Sequence, residues 1–208
     1  MIRLLGRQTS GNVQKVLFCL EEIDLKYTRE DYGRQFNNTN TDAYRKLNPN
    51  MKVPTLVDGD VVIWESHTIL CYLAALHAPK LTGATPAERT YVKRWMDWAL
   101  GALNTPYVAV FKDARKPEAE RAPDFPAQSA DLVAQMKILD GHLGGKSWFA
   151  LDRLTLADMA LAPLVVRCLA FPIEKPALPE LSRWAKAMES RAAFAVATGA
   201  KPSALNAA

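Results

Sequence analysis

The sequence has little of what marks secreted, metal-binding or membrane proteins. Its 208 residues include three cysteines, Cys19, Cys71 and Cys168, which lie far apart and form no C-x-x-C pair. A disulfide framework, a zinc site and a dithiol redox centre are therefore not expected, and no metal is assigned. No apolar run approaches the roughly 20 residues of a membrane span, and the polar start of the chain is unlike a signal peptide. We expect a cytoplasmic protein.

An excess of one charge is missing as well. The 26 Lys and Arg residues are nearly balanced by 22 Asp and Glu residues, which leaves a formal net charge of +4. This small excess is spread along the chain without a basic run, whereas binding to nucleic acid or to a membrane surface needs a concentrated patch. Neither is expected as a partner.

The composition is that of a globular protein, and it changes near residue 80. Residues 1–80 contain 4 alanines, whereas residues 81–208 contain 27. The stretch HAPKLTGATPAER at this change is rich in Pro, Gly and Thr, which is typical of a linker. Two domains are predicted, residues 1–80 with strands and helices and residues 81–208 with helices alone.

The hydrophobic pattern of the first domain predicts the order β-α-β, a polar loop with a short helix, and then β-β-α. Val13, Val16, Leu17 and Leu20 recur at helical spacing. The Asp-Gly pair at 58–59, between two β-rich runs, predicts a hairpin. In the second domain, helices are predicted at Tyr91–Phe111, Ser129–Leu143, Thr155–Leu169 and Pro179–Glu189.

Three short stretches of the first domain could carry chemistry, and the first precedes the first helix. It reads Thr9-Ser10-Gly11-Asn12. Ser10 or Asn12 can simply cap the helix, because both are favoured cap residues. Alternatively, a hydroxyl beside free backbone N–H groups at the positive end of a helix stabilises a thiolate.

The second stretch is Met51-Lys52-Val53-Pro54-Thr55-Leu56. A proline that opens a strand is tolerated at a sheet edge. If the Val53–Pro54 bond is cis, the backbone groups of Val53 face solvent and an extended peptide can add there like a further strand. A trans bond is the commoner state.

The third stretch is Trp64-Glu65-Ser66-His67. Ser66 is positioned as the cap of the second helix, and His67 is interpreted as a surface histidine. A helix N-terminus also receives a carboxylate well, while Glu65 can accept an ammonium. Together the two residues suit the two charges of an α-amino acid.

Taken together, the three stretches describe a site for a thiol peptide. The segments TSGNVQKVLFCLEEIDLKY, LNPNMKVPTLVDGDVVIWESHTILCYLA and LTLADMALAP resemble the cytosolic glutathione S-transferases. The similarity spans essentially the whole chain and is to bacterial members of the theta, delta and nu type, which lack a catalytic tyrosine. It implies an α/β thioredoxin-like N-terminal domain joined to an all-helical C-terminal domain.

The resemblance also implies roles for the matching residues. Ser10 is expected to hydrogen-bond the sulfur of glutathione, with Asn12 as a second group facing it. Pro54 matches the cis-proline of the family, and Val53 is expected to pair with the cysteinyl backbone. Lys52 is expected near the glycyl carboxylate.

The remaining implied roles concern Glu65 and Ser66, which hold the γ-glutamyl end. The implied function is a glutathione S-transferase that activates the thiol as thiolate, for conjugation to small hydrophobic electrophiles or for reduction of peroxides and disulfides. Glutathione is the co-substrate, and residues 81–208 line the electrophile pocket. The expected form is a cytoplasmic homodimer active in detoxification, with the helix around Trp95 and Trp98 as a candidate interface. A binding or carrier protein with the same fold is the alternative.

Three single positions and one loop depart from the pattern of the family. Met51 stands where the family often has glycine, and His67 and Cys71 replace a common asparagine and arginine. The loop at 34–38 replaces a more glycine-rich one. Outside the site, Thr155 and Asp158 have the spacing of a capping box. We assign this box to folding.

Overall fold

The computed structural model of the protein describes residues 1–205. Within this range the chain divides into two compact units. The first comprises Met1–Thr82 together with the segment from Glu189 onward, and the second comprises Gly83–Met188. A four-stranded sheet with helices followed by a helical region is the fold class expected from the sequence, which is thereby confirmed.

The strands are β1 (Ile2–Leu5), β2 (Tyr27–Glu30), β3 (Thr55–Asp58) and β4 (Val61–Trp64). The helices are α1 (Gly11–Glu22), α2 (Asp42–Leu47), α3 (Ser66–His77), α4 (Pro86–Trp98), α5 (Asn104–Asp113), α6 (Phe125–His142), α7 (Leu156–Ala170), α8 (Pro179–Glu189) and α9 (Ala192–Thr198). The order β-α-β, loop, β-β-α predicted for the first 80 residues is confirmed.

The sheet has the strand order β2-β1-β3-β4. β1 runs parallel to β2, with Leu4 opposite Arg29, and antiparallel to β3, with Leu4 opposite Leu56. β3 and β4 form the predicted hairpin, in which Thr55 lies opposite Trp64. Leu4 and Leu56 are completely buried, so the inner strands anchor the core of this unit.

Helix α1 is buried over most of its surface because both α3 and α9 pack against it. The rings of Phe18 and Phe194 meet edge to face with centroids 5.3 Å apart. Arg191, which precedes α9, forms an ion pair with Glu22 at the end of α1. These contacts group the last helix with the first unit.

Helix α9 was not predicted from the sequence. Its short run AAFAVAT shows no recurrence of apolar residues at helical spacing with polar residues between them.

The helical unit differs from the prediction at its first helix. The single helix expected over Tyr91–Phe111 is two helices, α4 and α5, joined by a π-helical segment at Ala99–Leu103. Trp95, which we expected at an interface, is buried inside the unit, with its ring centroid 4.5 Å from that of His142. The sequence pattern could not distinguish a helix that buries its aromatic residues internally from one that offers them to a partner.

The capping box at the start of α7 is confirmed. The carboxylate of Asp158 has no exposed surface and accepts hydrogen bonds from the backbone N–H and the hydroxyl of Thr155, both at 3.0 Å. It also accepts from the Phe149 N–H and from the indole of Trp184, each at 3.1 Å. Asp158 therefore connects α7 with α8 and with the segment before α7.

Candidate functional site

Ser10 lies directly before α1, where its extended backbone ends and the helix begins. Its side chain makes no capping hydrogen bond to the helix. The residue is 9% exposed. A hydroxyl at the positive end of a helix, not used as a cap, can donate to an anion. The capping alternative therefore does not describe the side chain of Ser10.

The starts of α1 and α3 meet at Asn12 and Ser66. The hydroxyl of Ser66 lies 3.5 Å from Oδ1 of Asn12, and this contact joins residues 54 positions apart in the chain. Asn12 is exposed, while Ser66 is buried. The first and third of the stretches singled out in the sequence are thus neighbours in the structure.

Glu65 occupies the position before α3 with an unusual backbone. Its φ of +69° lies in the left-handed region, which non-glycine residues rarely adopt. Such a conformation costs about 1–3 kcal/mol and is found preferentially at functional sites. The exposed carboxylate accepts a hydrogen bond from the side chain of Asn50 at 3.3 Å. It can also accept from the ammonium of a ligand.

The peptide bond between Val53 and Pro54 is cis. The preceding carbonyl, that of Lys52, is held by the hydroxyl of Tyr44 at 2.8 Å and by the amide of Asn48 at 2.7 Å. Within residues 1–205, no backbone partner is recorded for the N–H or the carbonyl of Val53. These two groups can therefore pair with an extended peptide. The side chain of Lys52 is exposed, and its expected contact with a carboxylate remains a prediction.

Close packing connects Val53 to the loop that leads to Ser10. A Cβ added to Gly6 would lie 2.5 Å from Cγ2 of Val13 and 3.3 Å from Cβ of Val53. Only glycine leaves room for this approach, because real Cβ atoms do not come so near to other carbon atoms. Gly6 therefore allows the Val53 segment to lie against the start of α1, which brings the second stretch to the other two.

A buried pair of basic groups was missed by the sequence analysis. Lys15 of α1 is 1% exposed, and its Nζ lies 3.1 Å from Nε2 of His67 in the first turn of α3. Burial lowers the pKa of Lys15 to about 7, and the carboxylate of Glu65 opposes this shift. Two positive charges at this separation would repel by about 5 kcal/mol at an effective dielectric constant of about 20. The pair therefore holds at most one positive charge.

The expectation that His67 is a surface histidine was wrong, since it is 8% exposed. The expected cap, Ser66, is the first residue of α3, and Glu65 holds the cap position instead. His67 therefore lies in the first turn of the helix, and the sequence could not show that α1 would cover it. A lysine in an amphipathic helix normally faces solvent, so the sequence held no signal for Lys15 either. Only the packing of α1 between two other helices accounts for its burial.

Two kinds of feature are missing from the part of the chain that the structure describes. It holds no group of three or more His, Cys, Asp or Glu side chains arranged as a metal site requires. Nor does it hold a helix long and apolar enough to cross a membrane.

Comparisons with known proteins identify the family of the chain. Residues 9–76 match the family described as Glutathione S-transferase, N-terminal domain, and residues 102–192 match its C-terminal domain. The chain is 35% identical over 198 residues to Glutathione S-transferase GstB of Escherichia coli, covering 93% of this chain and 95% of that protein. The chain belongs to the glutathione S-transferase family.

Solved structures of the family extend the similarity to three dimensions. A theta class glutathione S-transferase of Xanthomonas axonopodis pv. citri, crystallised with glutathione bound, superposes with a TM-score of 0.90 at 37% identity. The match covers 95% of this chain and 96% of that one. An epsilon-class glutathione S-transferase of Musca domestica superposes with a TM-score of 0.83 at 25% identity, over 96% and 93% of the two chains. The predicted family and the predicted enzyme class, a glutathione transferase, are confirmed.

Proposed function

We propose that this glutathione S-transferase binds glutathione between Glu65–Ser66 and Val53 and activates its thiol with Ser10. The observation that carries the proposal is the contact between Asn12 and Ser66, whose side chains lie 3.5 Å apart. It brings the start of α1, which directly follows Ser10, next to the start of α3. Relatives of this fold that bind glutathione support the same co-substrate.

The two ends of the tripeptide have separate partners in this proposal. The α-carboxylate binds at the start of α3 through the hydroxyl of Ser66 and the free N–H groups there, and the ammonium binds the carboxylate of Glu65. The cysteinyl residue pairs with the backbone of Val53, and the glycyl carboxylate approaches the ammonium of Lys52. Charged partners at both ends hold the thiol in the middle in position.

The proposed role of Ser10 is to lower the pKa of the glutathione thiol. A free thiol has a pKa of about 8.5, so it is mostly neutral at pH 7. Lowering this pKa by about two units requires roughly 2.7 kcal/mol of preferential thiolate stabilisation. A hydrogen bond to a charged group contributes about 1.5–3 kcal/mol, and a helix N-terminus adds about 0.3–1 kcal/mol. Ser10 and the start of α1 can supply this amount, with the amide of Asn12 as a second donor.

The thiolate is the nucleophile of the reaction. In conjugation, its electron pair forms the carbon–sulfur bond and the leaving group departs with the electrons of the bond it breaks. With a hydroperoxide, the sulfur attacks the outer oxygen and an alcohol leaves, after which a second glutathione displaces water and forms the disulfide. In both cases the thiol proton goes to solvent before the attack.

The electrophile is proposed to be small and hydrophobic. In the helical unit, Tyr107, Phe111 and Phe171 form an aromatic cluster with ring centroids about 6 Å apart, which suits an apolar molecule.

The proposal also includes the form and the role of the protein, a cytoplasmic homodimer that acts in detoxification. Light scattering that gave the 23.0 kDa mass of one chain would refute the dimer.

The test combines binding with turnover. We expect calorimetric binding of glutathione and turnover with 1-chloro-2,4-dinitrobenzene or with cumene hydroperoxide. Ser10→Ala should keep the affinity and lower turnover about tenfold to a hundredfold, whereas Thr9→Ala, which removes the neighbouring hydroxyl, should change little. Binding without turnover in either assay would favour the carrier alternative, and absence of binding would refute the proposal.

A further inference from the structure

Lys15 and His67 adjoin the proposed glutathione site, but the reaction as described does not use them. Lys15 lies one turn after Asn12 in α1, and His67 directly follows Ser66 in α3. Their nitrogen atoms are 3.1 Å apart and both residues are buried. The pair therefore links the two helix starts that are proposed to receive the thiol and the amino-acid end.

The charges around this pair are few. Among the elements packed against α1, helix α3 carries His67, Cys71, Tyr72 and His77, and Glu65 stands at its start. The sequence of α9, AAFAVAT, holds no titratable side chain, and Arg191 before it is paired with Glu22. Within residues 1–205, Glu65 is thus the acidic group that favours the charged form of the buried lysine.

A buried ammonium with so little compensation responds strongly to new charge. Burial alone disfavours the charged form of an amine, and a nearby anion favours it. Glutathione with an ionised thiol carries three negative groups and one positive group. The ammonium of the ligand would weaken the effect of Glu65, yet the net charge that arrives at the two helix starts is negative.

We propose that the Lys15–His67 pair takes up a proton when glutathione binds. This inference rests on the proposed function, since it requires the ligand's anionic groups at the starts of α1 and α3. In the complex the pair carries one positive charge, which faces the α-carboxylate and the thiolate. Without ligand the amine of Lys15 is only partly protonated near neutral pH, because burial lowers its pKa to about 7.

The sign of the pH dependence follows from linkage. Where binding takes up a proton, affinity is highest at low pH and falls as the pH rises. Below pH 6 the pair is already charged and little uptake accompanies binding. Above pH 7 the free protein must first gain the proton, so the dissociation constant increases.

The test is isothermal titration calorimetry with glutathione sulfonate. This probe keeps both ends of the tripeptide and carries a permanent negative charge at the sulfur, where no thiol remains to contribute a proton. Titrations at pH 7 in buffers of different ionisation enthalpy count the protons exchanged. A group that is half protonated before binding and fully protonated after it takes up about 0.4–0.5 proton. The dissociation constant should rise about three- to fivefold from pH 7 to pH 8.

Variants assign the uptake to Lys15. Lys15→Met should abolish it and make the dissociation constant independent of pH between 7 and 8. Lys26→Met, the same change at an exposed lysine beyond the end of α1, should retain the uptake of the natural protein. If circular dichroism shows that Lys15→Met does not fold, Lys15→Arg replaces it, because arginine stays charged throughout this range and should also abolish the uptake.

Each outcome decides the matter. Binding of glutathione sulfonate without proton uptake, or equal uptake by Lys15→Met, would overturn the inference and leave the proposed function intact. Failure of the probe to bind at all would refute the proposed function and this inference with it. Uptake that Lys15→Met abolishes and Lys26→Met retains would establish Lys15 as a proton-binding residue of the glutathione site.

Discussion

Replacing Asp158 by alanine should destabilise the protein strongly without touching the glutathione site. The carboxylate is fully buried and accepts four hydrogen bonds, at 3.0 to 3.1 Å, from Thr155, Phe149 and Trp184. In the alanine variant, two backbone N–H groups and one indole N–H lose their partner, while the Thr155 hydroxyl can rotate toward another acceptor. Each buried donor left unsatisfied costs about 1–3 kcal/mol.

The expected loss is therefore about 3–9 kcal/mol of the free energy of unfolding, a large share of the roughly 5–15 kcal/mol that a domain has. Urea unfolding followed by tryptophan fluorescence measures it. Trp184→Phe is the control, because it removes one donor and keeps most of the apolar volume, so its loss should be the smaller of the two. A loss below about 1 kcal/mol in Asp158→Ala would refute the view that this network holds the helical unit together.

Three further substitutions test the site and its backbone. Glu65→Ala should weaken glutathione binding by about 1.5–3 kcal/mol, the range for hydrogen bonds to charged groups, and an unchanged dissociation constant by calorimetry would contradict its role. Gly6→Ala should cost about 1–3 kcal/mol of stability through overpacking against Val13, whereas Gly141→Ala, whose added Cβ meets no atom within 4 Å, should not. Met51→Gly should raise the free energy of unfolding by up to about 1 kcal/mol, because the φ of +52° at this position costs an L-residue about 1–2 kcal/mol. A lower midpoint of urea unfolding would contradict this.

The architecture could be predicted because its signals are local. The recurrence of apolar residues at helical spacing predicted α1, and the Asp-Gly pair at 58–59 predicted the β3–β4 hairpin. The spacing of Thr155 and Asp158 predicted the start of α7. Each depends on residues a few positions apart, whose geometry is set by the helix or strand itself. Boundaries such as the π-helical segment after α4 depend on packing and were not predicted.

The sequence could suggest the residues of a candidate site but not their environment. The family resemblance indicated Ser10 and Glu65, but only the structure shows that the Ser10 hydroxyl does not cap its helix. The departure at Met51 also has a structural meaning, because its left-handed backbone is one that glycine adopts without strain. The burial of Lys15 against His67 arises from contacts between residues 52 positions apart, which no local pattern encodes.

The central claim, that Ser10 ionises the thiol of bound glutathione, is tested most directly by the pKa of that thiol. A pH titration of the ultraviolet absorbance of the complex measures thiolate formation. Asn12→Ala, two residues further along the chain, is the matched variant. We predict a bound thiol pKa about two units below the free value of about 8.5, a return toward the free value in Ser10→Ala, and a smaller change in Asn12→Ala. A pKa near 8.5 in the natural protein, or an equally low pKa in Ser10→Ala, would contradict the account.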